Sequence, residues 1–271
     1  MTDLAVLGSP ISHSKTPRLQ ELFGKYCGIK VKCEKIETDE SNYIPTVQTL
    51  KQKGIVGFNC TMPLKKKASE HCDRLSENSA FLSSVNTVKI ENGKLFGSTT
   101  DGNGLLLAYR INFGEIKSKK VLLFGTGGTA RSIYYSFEKS GAMITVVNRS
   151  VGIFGDMFPH STVYPFDLTE KLSESADVMI NATPLGMTGK DSFSDLSFIE
   201  KTKENAIFID AVYEPYETEF LLKAKQCRRK TLDGLYMLVC QGALSFEEWT
   251  GVKVGQNIIK QVYEELKGEM K

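Results

Sequence analysis

Short apolar runs alternate with amphipathic stretches along the first hundred residues. Residues 4–7 form an apolar run that predicts a strand, and the apolar residues of 16–26 then recur at helical spacing. Residues 32–36 and 54–59 predict further strands, with a second helix over 43–53 between them. Strands that alternate with helices favour a mostly parallel sheet with helices packed on its faces.

A hairpin is predicted next along the chain. Residues 84–89 and 94–97 flank the pair Asn92 and Gly93, and both of these residue types tolerate the positive φ that a two-residue hairpin turn requires. We expect this hairpin to lie at the edge of the first sheet.

The pattern then starts again, which predicts a second, separate sheet. A helix within 102–114 precedes a new alternation of strands and helices, and helical spacing returns within 241–271. The predicted elements of this second alternation are strands at 121–124, 143–147, 178–181 and 206–210 and a helix at 131–139. We expect two domains: residues 1–102 completed by the C-terminal helices 237–271, and a doubly wound domain over 103–236.

Composition and charge exclude several classes of protein. The 271 residues are 41% hydrophobic and 24% charged, as in folded globular proteins. The 34 basic and 32 acidic residues give a net charge of +2, which argues against nucleic-acid binding. The longest apolar run, Leu235 to Cys240, is far shorter than the roughly 20 residues of a membrane-spanning helix. Because Asp3 stands where a secretory signal carries positive charge, we expect a cytoplasmic protein.

The cysteines and histidines do not suggest a metal or a disulfide framework. Six cysteines lie in a long chain without a C-x-x-C pair, so we expect free and mostly buried thiols. The three histidines, His13, His71 and His160, lack the spacing of zinc ligands, and no metal site is predicted.

A glycine-rich turn is the clearest chemical signal in the second half. Residues 125–130 read G-T-G-G-T-A directly after the apolar strand and directly before a helix, which is the context in which G-x-G-x-x-A binds a dinucleotide. Gly125 permits the tight turn, Gly127 lets a pyrophosphate approach the backbone, and Ala130 allows close helix–strand packing. The free N–H groups and the positive dipole of the helix N-terminus add to this anion site.

The next strand ends in Asn148, Arg149 and Ser150. An NAD-binding fold usually places an acid here to bind the ribose 2′-hydroxyl. A planar, permanently charged guanidinium is instead suited to a phosphate, so Arg149 predicts NADP as the cofactor.

Several segments together resemble the shikimate dehydrogenase family over nearly the whole chain. They are residues 8–17 (GSPISHSKTP), 59–65 (NCTMPLK), 84–87 (SVNT), 100–102 (TDG), the glycine turn, 148–150 (NRS), 181–187 (NATPLGM), 210–215 (DAVYEP) and 233–241 (DGLYMLVCQ). The resemblance implies an α/β fold, with a mixed, mostly parallel substrate-binding domain and a Rossmann-like NADP-binding domain. It also implies NADPH-dependent, reversible reduction of 3-dehydroshikimate to shikimate, on the pathway to chorismate and the aromatic amino acids.

The family's catalytic pair corresponds to Lys65 and Asp101. In the family, the lysine transfers a proton while hydride moves between the substrate and the nicotinamide, in a cleft between the two domains. A lysine in a desolvated cleft can change its charge state, and a neighbouring carboxylate such as Asp101 would position it.

The resemblance assigns further residues to substrate and cofactor. The substrate-contacting positions are Ser14 and Thr16, which bind its carboxylate, and Thr61, Asn86, Asp101, Tyr213 and Gln241. The cofactor-contacting positions are Glu77, Gly125, Thr126, Gly127, Gly128, Thr129, Ala130, Asn148, Arg149, Ser150, Thr183, Ala211, Gly234 and Met237. The implied partners are these small molecules, and the chain is expected to be a monomer or a homodimer.

Three departures from the family pattern leave alternatives open. Thr16 replaces the commoner Ser and is also found in relatives that accept quinate, so a quinate or dual quinate/shikimate dehydrogenase is an alternative. Ile153 and Phe154 stand where another basic residue often follows the arginine, which predicts a weaker NADP preference. Cys60 replaces Val, with no chemical consequence expected. A catalytically silent NADP-binding relative is a further alternative. A folate-linked dehydrogenase is disfavoured because the loop of Ser14 and Thr16 and the residue Gln241 have no role there.

Overall fold

The computed structural model describes residues 2–151 and 157–270. It forms two compact units: the first takes in the chain up to Gly104 and again from Val239, and the second is Leu105–Leu238. In the described residues, no helix is both long enough and apolar enough to cross a membrane.

The strands and helices alternate throughout the chain. The strands are β1 (Thr2–Gly8), β2 (Val31–Glu37), β3 (Gly57–Cys60), β4 (Arg74–Leu75), β5 (Thr87–Glu91), β6 (Lys94–Ser98), β7 (Lys120–Phe124), β8 (Met143–Val147), β9 (Val163–Tyr164), β10 (Val178–Asn181), β11 (Ile207–Asp210) and β12 (Lys230–Leu232). The helices are α1 (Thr16–Cys27), α2 (Tyr43–Gln52), α3 (Lys65–His71), α4 (Glu77–Leu82), α5 (Asp101–Phe113), α6 (Gly128–Lys139), α7 (Thr169–Ser173), α8 (Glu219–Gln226), α9 (Gly234–Thr250) and α10 (Gln256–Glu269). Short 3₁₀ turns lie at Phe166–Leu168 and Ser197–Lys201.

The first unit is built on a mixed sheet in the order β2-β1-β3-β5-β6-β4. Strand β1 pairs in parallel with β2 and β3, whereas β5 is antiparallel to β3 and β6. Because successive strand side chains point to opposite faces, Ala5 and Leu7 join one buried cluster, while Leu4 packs with Trp249 on the other face. The Trp249 indole also donates a hydrogen bond of 2.9 Å to the carbonyl of Val88.

The hairpin forms as predicted, but its predicted place at the sheet edge is wrong. Asn92 and Gly93 take φ values of 52° and 73°, and β5 pairs with β6 around them. The two-residue strand β4 then pairs with β6 and covers its outer side. The cause is local, because the backbone of Asp73 and Ser76 on either side of β4 donates to Leu95 and Gly97 of β6.

The second unit is built on a fully parallel sheet in the order β12-β11-β10-β7-β8-β9. Strand β7 lies centrally, and the chain winds outward first through β8 and β9 and then back past β7 through β10 to β12. This is the strand order of the Rossmann fold, in which ligands bind beyond the carboxyl ends of the strands where the winding reverses. Here that position lies beside the ends of β7 and β10. The architecture of the two units confirms the predicted fold class.

Aromatic packing fixes the central strands of this second sheet. The buried Phe124 ring, at the end of β7, lies within about 6 Å of the rings of Phe166, Phe193, Phe198 and Phe220. Each buried aromatic side chain contributes a large apolar area to the core. The end of β7, and with it the start of the glycine turn, is therefore held rigidly.

The cysteines are free, as predicted, but only half of them are buried. Cys33, Cys60 and Cys240 are buried, whereas Cys27, Cys72 and Cys227 are partly exposed. Among residues 2–151 and 157–270, no group of three or more His, Cys, Asp or Glu side chains could hold a metal ion.

Candidate active site and cofactor site

Lys65 and Asp101 meet in the first unit. Lys65 is the first residue of α3 and Asp101 the first of α5, and the Lys65 ammonium Nζ lies 2.5 Å from Asp101 Oδ2. The two side chains are 31% and 14% exposed, so the pair is partly desolvated and still open to a ligand. In this setting a short ion pair holds the lysine in one place.

Asn86 connects this ion pair to a buried polar network. Its amide Nδ2 donates to Asp101 Oδ1 at 2.7 Å and to Thr100 Oγ1 at 3.0 Å, while its Oδ1 accepts from the backbone N–H of Thr100 at 2.9 Å. Asn86 is only 4% exposed. Asp101 is therefore fixed from both sides, by Lys65 on one oxygen and by Asn86 on the other.

Helix α9 supplies the other side of the network. Asn86 Nδ2 lies 3.4 Å from Gln241 Oε1, and the Ser245 hydroxyl lies 2.8 Å from Thr87 Oγ1. Gly104 makes this approach possible, since a Cβ there would come within 2.5 Å of the Gln241 Cβ. Four of the predicted residues, Lys65, Asn86, Asp101 and Gln241, are thus brought together.

Several members of this network have no role predicted from the sequence. They are Asn59, Thr87, Thr100 and Ser245. One signal was available: Gln241 and Ser245 are polar residues four positions apart in an otherwise apolar stretch, which places them on one face of a helix.

Ser14, Thr16 and Thr61 lie on two adjoining loops. The backbone N–H of Thr16 donates to Ser14 Oγ at 3.3 Å in the loop that leads into α1. Gly8 lets the loops approach, because a Cβ there would come within 2.3 Å of Thr61 Cγ2, and Ser9 N–H donates to the Met62 carbonyl at 3.1 Å. Short hydroxyl donors on two fixed loops are suited to an anion.

The glycine turn has the geometry of a phosphate cradle. Gly125 takes φ of 107°, which residues other than glycine rarely adopt. Gly127 is the N-cap of α6 without a side-chain cap, and a Cβ at Gly127 or Gly128 would meet no atom within 4 Å. The first turn of α6 holds no acidic residue. The turn therefore offers open space and unpaired helix N–H groups to a pyrophosphate.

A cavity of about 340 Å³ opens beside this turn in the second unit. Its lining includes the predicted residues Gly125, Thr126, Gly127, Asn148, Arg149 and Thr183. It also includes six residues without a role predicted from the sequence: Phe166, Ala182, Pro184, Leu185, Lys190 and Asp191. The predicted Gly128, Thr129 and Ala130 form the first turn of α6, and Ser150 accepts a hydrogen bond from Asn148 through its carbonyl. The donor set suits a dinucleotide: backbone N–H groups for the pyrophosphate and a guanidinium for a further phosphate.

A buried carboxylate organises the loop on which Thr183 lies. Asn181 donates to Asp210 Oδ1 at 2.9 Å and accepts the Thr183 hydroxyl at 2.6 Å, while Thr218 donates to Asp210 Oδ2 at 2.6 Å. Burial raises the pKa of Asp210 to about 6, against the opposing effect of these hydrogen bonds.

The other residues predicted to contact substrate or cofactor lie on different elements of the fold. Gly234 packs against the loop after β11, where a Cβ would come within 2.6 Å of the Ala211 carbonyl. Met237 is buried in α9, and burial raises the pKa of Tyr213. Glu77 is the exposed first residue of α4 and belongs to the first unit, unlike the other predicted cofactor residues.

Of the two remaining departures from the family pattern, only one falls on residues that the structure describes. Ile153 and Phe154 lie outside the described residues. Cys60 is buried at the end of β3, and burial raises the pKa of its thiol above the usual range, which disfavours the reactive thiolate.

Relatives that match 95% of the chain agree with the family resemblance seen in the sequence. The model of the shikimate dehydrogenase substrate binding domain matches residues 6–88, and that of the shikimate 5'-dehydrogenase C-terminal domain matches residues 234–262. A shikimate dehydrogenase (NADP(+)) from Methanococcus vannielii is 32% identical over 269 residues, covering 95% of this chain and 94% of the relative.

Solved structures share the fold of this chain. The shikimate 5-dehydrogenase of Thermus thermophilus, in complex with NADP(H) and shikimate, is 29% identical with a TM-score of 0.87, covering 98% of this chain and 99% of that one. The 5-ketofructose reductase of a Gluconobacter species is 28% identical, also with a TM-score of 0.87, covering 98% of both chains.

The Rossmann strand order and the glycine turn define a dinucleotide-binding α/β protein. More specifically, the chain belongs to the shikimate dehydrogenase family.

Proposed function

We propose that this protein catalyses the NADPH-dependent, reversible reduction of 3-dehydroshikimate to shikimate, on the pathway to chorismate and the aromatic amino acids. The observation that carries the proposal is the 2.5 Å contact between Lys65 and Asp101 inside the network of Asn86 and Gln241. The names of the relatives support it, since they are NADP(+)-dependent shikimate dehydrogenases.

We assign the substrate to residues 1–102 with the C-terminal helices 237–271, and the cofactor to residues 103–236. The family model for a substrate binding domain, which matches residues 6–88, supports the first assignment. The strand order and the glycine turn support the second.

Lys65 handles the proton of the reaction. When the C3 carbonyl is reduced, its oxygen takes a proton from the Lys65 ammonium; in the opposite direction the neutral amine accepts the hydroxyl proton. Asp101 holds the ammonium in place, and Asn86 prevents Asp101 from turning away, because it occupies the second carboxylate oxygen.

The polar side chains that the family resemblance singles out bind and select the substrate. Ser14 and Thr16 bind its carboxylate, and Thr61, Asn86, Asp101, Tyr213 and Gln241 contact its ring hydroxyls. A site of this kind rejects analogues that lack a hydroxyl, since one of its polar groups would then stay unpaired.

Bound NADP supplies hydride to the substrate or accepts it. The pyrophosphate belongs at the turn of residues 125–130, and the 2′-phosphate at Arg149 with Asn148 and Ser150. Glu77, Thr183, Ala211, Gly234 and Met237 complete the cofactor contacts. The open space at Gly127 and Gly128 supports this assignment.

The test is a comparison of kcat/KM for shikimate and quinate, each with NADP and with NAD, followed by the absorbance of the reduced nicotinamide. The proposal expects the highest value for shikimate with NADP. Absence of any shikimate-dependent NADPH formation would favour the catalytically silent relative instead.

Thr16 favours one alternative within the same fold. It is the first residue of α1 and its side chain carries one methyl more than serine beside Ser14. A quinate or dual quinate/shikimate dehydrogenase would give quinate a kcat/KM equal to or above that of shikimate in the same assay.

We also propose a cellular location and an oligomeric state for the protein. The reaction uses diffusible small molecules, which suits a cytoplasmic monomer or homodimer without nucleic-acid or membrane partners. Fractionation of cells and the mass of the protein in solution test these two points.

A further inference from the structure

The cavity beside the glycine turn is lined by two cationic side chains that come from different loops. Arg149 follows β8, whereas Lys190 lies in the loop between β10 and β11. Asp191 is the acidic residue of the same lining. Among the described residues, the side chains of the lining therefore carry a net positive charge, and the two cations lie on different loops.

The loop of Lys190 is tightly folded, so the position of this residue is fixed by the backbone. Gly186 and Gly189 take φ values of 82° and 75°, a conformation that glycine adopts readily in tight turns. The N–H of Gly186 donates to the Asp191 carbonyl at 2.8 Å, and the N–H of Lys190 donates to the Met187 carbonyl at 2.9 Å.

Side-chain contacts anchor the same loop to the sheet. Thr183 Oγ1 donates to Asn181 Oδ1 at 2.6 Å and accepts from the Leu185 N–H at 3.1 Å, and Asn181 donates to the Leu185 carbonyl at 3.1 Å. At the far end of the loop, Thr188 N–H donates to the Glu214 carbonyl at 2.9 Å. A lysine on such a loop is presented to the cavity with little backbone freedom to lose on binding.

The charge of the expected ligand calls for a second cation. A phosphate monoester carries about −1.5 to −2 charges at neutral pH, more than one guanidinium neutralises. The Lys190 side chain is exposed and makes no ion pair within residues 2–151 and 157–270, so its ammonium is available. Lysine binds phosphate as a point charge, and arginine adds a fixed fork of donors.

We infer that Lys190 acts with Arg149 to bind the 2′-phosphate of the cofactor, and so sets the preference for NADP over NAD. This inference rests on the proposed function. It names a specificity-determining residue in a loop far along the chain from the Asn148–Ser150 motif. It also supplies a second cationic side chain, which the sequence does not provide directly after the Asn148–Ser150 motif.

Binding of cofactor fragments tests the inference without relying on turnover. Calorimetry would give the Kd of adenosine 2′,5′-bisphosphate and of AMP, which lacks the 2′-phosphate, for the wild-type protein and for Lys190→Gln. We expect the variant to weaken bisphosphate binding about tenfold or more, as for loss of a hydrogen bond to a charged group, and AMP binding less than about twofold. The ratio of kcat/KM for NADP to that for NAD should fall by the same factor.

Three further variants sharpen the result. Lys171→Gln removes the same charge from an exposed lysine of the same unit outside the cavity, and should change neither Kd. Lys190→Arg keeps the charge and should retain most of the preference. The double variant Arg149→Gln, Lys190→Gln should lose less than the product of the single losses, because both side chains bind one phosphate.

Two results would overturn the inference: an unchanged bisphosphate Kd in Lys190→Gln, or equal weakening of bisphosphate and AMP. Failure of the proposed function looks different, because the wild-type protein would then form no NADPH from shikimate whatever residue stands at position 190.

Discussion

Asp101 is bound on both of its carboxylate oxygens, by the Lys65 ammonium on Oδ2 at 2.5 Å and by the Asn86 amide on Oδ1 at 2.7 Å. The carboxylate can therefore neither rotate nor release the lysine without breaking a hydrogen bond. In the proposed mechanism, this double anchoring keeps the Lys65 ammonium at a fixed position before the substrate arrives.

Replacement of Lys65 by alanine should lower kcat by a factor of about 10²–10⁴ with little change in KM, since proton transfer contributes a factor of this size in the transition state. Steady-state kinetics with shikimate and NADP measures both constants. Unchanged turnover in this variant would remove Lys65 from the mechanism.

The neighbouring lysine is the matched control for that experiment. Lys66 is 79% exposed, and its ammonium lies 3.9 Å from Glu70 on the surface of α3. Lys66→Ala removes the same side chain one residue away and should leave kcat within about twofold of wild type, because exposed ion pairs contribute little.

Gly127→Ala should separate cofactor binding from stability. A Cβ at this position meets no protein atom within 4 Å, and the backbone is extended with φ of −72°, so the free energy of unfolding should change by less than about 1 kcal/mol. The same methyl group occupies the space proposed for the pyrophosphate, so the Kd for NADP should rise at least about tenfold. Thermal unfolding and calorimetric titration measure the two effects, and equal NADP affinity would place the pyrophosphate elsewhere.

Gly57→Ala should destabilise the first unit. The new Cβ would lie 2.2 Å from Trp249 Nε1 and 2.6 Å from the Val88 carbonyl oxygen, the two atoms that the indole hydrogen bond joins. Overpacking of this kind costs about 1–3 kcal/mol, and loss of the hydrogen bond adds to it. Urea unfolding measures the change. Gly268→Ala, in open space on α10, is the control and should be neutral or slightly stabilising.

Asp210→Asn should change how stability depends on pH. Burial raises the pKa of Asp210 from 3.8 to about 6 in the folded protein, so between these values the folded chain binds more protons than the unfolded chain. The contribution of Asp210 to stability is fully present below about pH 4 and is lost as the pH rises through about 6. The asparagine variant lacks this loss, so relative to wild type it should gain about 3 kcal/mol across that interval, since one pKa unit corresponds to about 1.4 kcal/mol.

Denaturant unfolding of both proteins at several pH values checks the direction of this change, and parallel stability curves would contradict it.

Asp177→Asn is a control whose stability should depend on pH in the opposite direction. Partial burial disfavours the Asp177 charge, but hydrogen bonds from Lys203 and from the backbone of Lys120 outweigh it and lower its pKa. Asp177 therefore loses its stabilising effect as the pH falls, and its asparagine variant should be less sensitive to acid.

Periodicity in the sequence was sufficient for the long elements and failed for the short ones. Helix α1 shows helical spacing over three turns, and Asn92 with Gly93 defines its turn by residue type alone. Strand β4 has two residues and strand β12 three, too few for a period to appear. The hairpin was therefore assigned to a sheet edge that β4 in fact covers.

The residues of the candidate site also differ in how far the sequence predicts them. Lys65, Asp101 and the glycine turn stand in local motifs that can be read from neighbouring residues. The contact of Ser245 with Thr87, across 158 positions, and the place of Lys190 on a loop folded around two glycines cannot be read in this way. Such contacts are properties of the tertiary structure, and a linear pattern does not carry them.

The outer strands of both sheets have a consequence for the protein at high concentration. Strands β4, β9 and β12 are two or three residues long, and the longer outer strand β2 carries the alternating charges of Lys32, Glu34, Lys35 and Glu37. Neither arrangement offers a flat apolar ladder to which another molecule could add a strand. These short or charged outer strands should therefore keep the protein from forming fibrils, even where it is crowded among other proteins.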